Sequence, residues 1–116
     1  MNIRNQVQLI GHVGNAPEVK ELGSGKTLAR FSVATKDSYK DAQGSWVNNT
    51  DWHQVVAWGP AAKAIEKSLE KGTEVVLHGK LSTRSWQDAD SKTHYTTEVI
   101  LSDYSVLATK KDKVPF

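Results

Sequence analysis

Four tryptophans in 116 residues, with four histidines and no cysteine, narrow the chemistry open to this chain. Trp86 shares its parity with Lys80, Ser82 and Arg84, while Val75, Leu77 and Leu81 fall on the other. On an extended strand that alternation puts a basic, aromatic face outward and an apolar one inward. An exposed indole beside cations offers a π surface to a nucleobase and charge to a phosphate. Trp52 and Trp58 are six residues apart, so on one strand they point the same way about 20 Å apart. Val56 on that parity suits a core and Gln54 does not, so the spacing fits two base contacts or two core anchors equally.

Tyr39 lies between Lys36 and Lys40 in a polar stretch, as a further stacking ring or as an aromatic folded back on the domain, and Trp46 beyond it has less in its favour. His12, His53, His78 and His94 show no ligand spacing, so no metal site is expected, and His53 reads as a structural histidine on an inward or subunit-facing side. Gly23-Ser24-Gly25 lacks the lysine pattern of a phosphate cradle, and Asp88 and Asp90 read as turn formers. No cofactor, activated nucleophile or general acid-base pair can be named, so no catalytic residue is expected.

The elements that must hold these side chains follow from periodicity. Val7 to Val13 alternates as a half-buried strand, and Ala29, Phe31 and Val33 mark a second, read as its hairpin partner across Gly23-Ser24-Gly25. Lys36 to Gly44 reads as a loop before a third strand from Asp51 to Trp58. Pro60 suits a first helical turn, and Ala61, Ile65 and Leu69 predict about three turns stopped by Gly72. Strands from Val75 and near Tyr95 to Leu107 complete the chain, joined at Asp88-Ala89-Asp90-Ser91. Five strands with one helix between the third and fourth predict a mainly β, five-stranded Greek-key barrel, the OB-fold.

Length allows one domain, read as residues 1–108 with a short tail at 109–116. With 38% hydrophobic and 24% charged residues the chain has the makings of a core, and its net charge of +2 does not by itself single out a polyanion. The absence of cysteine excludes disulfide frameworks and thiolate sites. No run is long and apolar enough for a membrane span or a signal peptide, so a cytoplasmic protein is expected.

Thr50-Asp51-Trp52-His53-Gln54-Val55-Val56-Ala57-Trp58-Gly59, Leu81-Ser82-Thr83-Arg84-Ser85-Trp86 and Tyr95-Thr96-Thr97-Glu98-Val99 occur in order. Together with the opening Asn5 to Val19 they resemble the bacterial single-stranded DNA-binding proteins, over a span reaching about residue 107. The resemblance implies an OB-fold homotetramer that wraps single-stranded DNA in replication, recombination and repair, associated with the bacterial nucleoid. It places stacking aromatics on Tyr39, Trp52, Trp58 and Trp86 and a subunit contact on His53. It also implies that Pro115 and Phe116 correspond to a tip that docks replication and repair proteins, although the basic Lys110-Lys111-Asp112-Lys113 departs from the family's acidic tip and long linker.

Residues and resemblance together predict a non-enzymatic, sequence-tolerant binder that stacks bases and meets phosphates with Arg4, Arg30, Lys80 and Arg84. For Arg4 and Arg30 a core-covering or intersubunit role fits the sequence as well. The rivals are a primosome-type or RNA-directed OB protein and an OB domain whose aromatics form a protein interface.

Overall fold

The computed structural model describes residues 3–109. Apolar alternation there builds β1 (Val7–Val13), β2 (Glu18–Glu21), β3 (Thr27–Lys40), β4 (Trp46–Trp58), α1 (Pro60–Ser68), β5 (Glu74–Gln87) and β6 (Thr93–Ala108). The sheet runs β1-β5-β6-β4-β3-β2, and a β1–β3 pairing joins its ends, so five strands close a barrel and β2 hangs on β3 outside the ring. The expected barrel, with its one helix, is borne out.

Ala29, Phe31, Val33, Val55, Ala57, Val75, Leu77, Val99 and Leu101 point inward at alternate positions and form the core. Ala62 and Ile65 on α1, with Leu69 just beyond it, close one end of the barrel against that core. Full burial of a side chain the size of Ile65 contributes about 1.5–3 kcal/mol. Closure is tight at Gly11, where a Cβ would run into the Ala34 carbonyl oxygen on β3.

Four local expectations change. β1 pairs mainly with β5 and meets β3 only at His12 and Val13, so the hairpin across Gly23-Ser24-Gly25 joins β2 to β3 instead. The Asn15 side chain helps to divert the chain, because its Oδ1 accepts the Ser32 N–H and hydroxyl where a longer β1–β3 ladder would run. Lys36 to Gly44 is largely strand rather than loop: β3 extends to Lys40, β4 begins at Trp46, and Asp41 Oδ1 accepts the Gln43 and Ser45 amides in the turn. The helix is shorter than expected, ending at Ser68. Leu69 is already extended, and Gly72 sits in the following turn, where the Thr73 N–H bonds the Glu70 carbonyl.

Candidate nucleic-acid interface

Strand register decides which side chains share a face. Arg30 on β3 pairs with Val56 on β4, Val56 with Ile100 on β6, and Ile100 with Lys80 on β5. This row crosses four strands on the outer side of the barrel, opposite the inward row that includes Val55 and Val99. Stepping along β4 by twos from Val56 reaches Gln54, Trp52 and Trp58, and stepping along β5 from Lys80 reaches Ser82, Arg84 and Trp86. The β3–β4 ladder is unbroken from Leu28↔Trp58 to Lys40↔Trp46, and the β5–β6 ladder has no shift beyond Gly79. Six of the expected residues, Trp52, Trp58, Trp86, Arg30, Lys80 and Arg84, therefore share one face.

The rings on it are open to solvent, with Trp52 61%, Trp58 44% and Trp86 43% exposed, which removes the core-anchor alternative for Trp52 and Trp58. Trp52 lies over Gly14, where a Cβ would run into the indole. A groove beside it is lined by His12, Lys36 and Lys71 as well as Trp52. Trp86 is held from two directions: its Nε1 donates to Thr96 Oγ1 at 3.0 Å, and its ring stacks on His94 with centroids 4.5 Å apart. His94 Nε2 lies 2.7 Å from Asp88 Oδ2, while Asp88 Oδ1 accepts the Asp90 and Lys92 amides. The hydrogen bond to His94, followed by that from the Lys92 amide, holds the Asp88 carboxyl below the usual carboxylate range.

Arg84 differs from Lys80 in that its Nε donates to Glu98 Oε1 at 3.2 Å, and Glu98 is 9% exposed. Part of its charge is balanced inside the hairpin.

Not all the expected residues meet. Tyr39 pairs with Val47 and lies on the reverse side of the β3–β4 ribbon from Trp52. His53 is also on the reverse side, half-buried, with Nε2 2.9 Å from Thr35 Oγ1. Arg4 is exposed in the turn before β1, and Pro115 and Phe116 lie outside the described residues. Among the described residues no group of three His, Cys, Asp or Glu side chains is placed to hold a metal.

Sequence reasoning missed Lys36, Lys71 and His12. Lys36 was within reach, because its parity puts it with Arg30 on the polar side of that strand. Lys71 and His12 come to Trp52 only through barrel closure.

Residues 4–107 match the single-strand binding protein family. The chain is 42% identical over 109 residues to "Single-stranded DNA-binding protein 1" of Chlorobaculum tepidum, covering 91% of this chain and 66% of that protein. Among solved structures, the Plasmodium falciparum SSB in complex with ssDNA superposes with a TM-score of 0.83 at 36% identity, covering 93% of this chain and all of that one. A deletion variant of the single-stranded DNA binding protein from Thermus aquaticus gives 0.80 at 25% identity, covering 93% of this chain and 52% of that chain.

Proposed function

The chain belongs to the single-strand binding protein family, and from that premise we propose that it binds single-stranded DNA without sequence preference, as a binding protein with no catalytic step. The observation that carries this reading is the shared outer face of Trp52, Trp58 and Trp86 with Arg30, Lys80 and Arg84. Stacking is worth about 1–3 kcal/mol per base, whereas an exposed ion pair is usually worth less than about 1. The rings therefore supply most of the affinity and the cations most of its salt dependence. Arg4 adds a phosphate contact at the margin, and Tyr39 contributes where the strand passes round the edge of the ribbon.

The same reading includes a homo-oligomer, taken as a tetramer from the family resemblance. Supporting it, among the described residues the edge of β1 away from β5 is paired only at His12 and Val13, which leaves the rest of that edge available to a second copy, with Ile10 52% exposed nearby. His53 as a subunit contact, Pro115 and Phe116 as a docking tip for replication and repair proteins, and a place on the bacterial nucleoid complete the proposal on sequence resemblance. No helix among the described residues is long and apolar enough to cross a membrane.

The test is a titration of intrinsic tryptophan fluorescence with oligodeoxythymidine at two salt concentrations, with an equal-length duplex and an oligouridine as controls. Strong quenching by the DNA single strand, weak response to duplex and an affinity that falls with salt are expected. Quenching only by the RNA would favour the RNA-directed reading, and no quenching at low salt would favour a protein interface.

A further inference from the structure

We propose that Trp46, braced by Lys40 on the β3–β4 hairpin, is an additional stacking position for single-stranded DNA, continuing the row of Trp52 and Trp58 outward from the barrel. The inference rests on the reading of this face as the DNA interface and deepens it.

The unbroken register carries it first. Positions 46, 52 and 58 are separated by six residues each, so all three indoles project from one face at intervals of about 20 Å. Trp46 is the most exposed of them at 69%, and none of the described residues buries it. A single exposed aromatic needs no explanation, but one in line with two others and next to a cation does. Lys40 is its cross-strand partner, with Nζ 5.4 Å from the ring centroid, inside the range of a cation–π contact. The ammonium steadies the ring and stands beside the path of the phosphates.

The charges of this ribbon identify the occupant as a polyanion. Arg30, Lys36 and Lys40 all fall on the tryptophan face, paired with Val56, Thr50 and Trp46. The ribbon strands carry two carboxylates, Asp37 and Asp51, and by the same register both fall on the reverse face. A protein partner held by the tryptophans alone would not need that separation, whereas a strand of phosphates crossing from Trp58 to Trp46 meets three cations and no carboxylate of β3 or β4; Glu18, opposite Arg30 on β2, and Glu98, paired with Arg84, border that path.

The experiment compares Trp46→Ala, Trp46→Phe, Lys40→Gln and Trp52→Ala, using oligodeoxythymidines of graded length, with circular dichroism as a check on folding and sedimentation velocity as a check on assembly. W46A is expected to weaken binding of long oligomers about fivefold or more, the loss of one stacked base, and to leave the shortest bound oligomers unaffected. W46F should keep most of the affinity because a phenyl ring still stacks, and K40Q should mainly flatten the salt dependence. If W52A weakens binding while W46A does not at any length, the Trp46 position is overturned and the interface stands. If W46A changes the sedimenting mass, or weakens short and long oligomers equally, Trp46 belongs to a subunit contact and the proposal is likewise overturned. A wild-type protein that binds no single strand overturns the underlying reading instead.

Discussion

Trp86 shows how a ring can be exposed and still be fixed. With His94 stacked on one face and Thr96 holding its nitrogen, it would, in the proposed stacking role, take a base on its other face without first losing rotamer freedom. Trp86→Ala should cost about 1–3 kcal/mol of binding, measured by titration, while His94→Ala should weaken binding less and broaden the indole signal. The Asp88 carboxyl is held low by His94, so its contribution to the hairpin tip is complete above the ordinary carboxylate range. That contribution is lost as pH falls through the lowered native value. Near-ultraviolet dichroism of Trp86 should follow this acid transition, and Asp88→Asn should remove it. Gly14→Ala should push aside the Trp52 ring and crowd the Ser32 hydroxyl, lowering affinity. Trp86 is exposed as parity with Val75, Leu77 and Leu81 predicts, but Leu81 is itself 50% exposed and both sides of β5 meet solvent beyond Gly79, so the ring is open because the hairpin leaves the barrel there. The exposure of Trp52 and Trp58 was not readable from parity, because Val56 on their own face is buried, at 3% exposure, between cross-strand neighbours Arg30 and Ile100.

Elements were legible where one face is buried and hidden where neither is. Ala29, Phe31 and Val33 announce β3 inside the barrel, but past Lys36 both sides of the ribbon meet solvent and alternation disappears. The strand persists there through its ladder to β4 and a turn organised by Asp41. β2 is too short, at four residues, to leave a periodic trace. Helix α1 is marked by its apolar spacing, yet that spacing misplaces its end because Leu69 keeps it while leaving the helix to enter the core. Two substitutions separate the roles of elements. Ile65→Ala should lower unfolding stability by about 2–5 kcal/mol in denaturant titrations, because the plug at the barrel end loses its main side chain. Arg84→Ala should lower Tm more than Lys80→Ala does, since it leaves the nearly buried Glu98 carboxylate without its partner.

At the scale of the whole molecule, the order of elements along the chain was legible and the pairing that closes the barrel was not: nothing in the local pattern of β1 distinguishes a partner in β3 from one in β5. The groove that gathers His12, Lys36 and Lys71 around Trp52 depends on that closure, so it too was invisible. Assembly is the property to test at this scale. If the proposed assembly pairs β1 edges, Ile10→Glu should shift the sedimenting mass toward the monomer with unchanged far-ultraviolet dichroism, because a carboxylate beside that edge would meet its own copy there. An unchanged mass would move the subunit contact elsewhere.

The spacing of the rings along β4 also has a kinetic side. Platforms about 20 Å apart on one ribbon need not release together. If these rings stack bases as proposed, a strand lifted from one is still tethered at the next, so it would be recaptured at high local concentration or yield the vacated ring to a competing strand. Departure then proceeds by peeling, and a second strand can enter before the first has left. In stopped-flow experiments the observed dissociation rate should rise with the concentration of competitor, as expected for direct hand-over between strands and not for simple escape into solution.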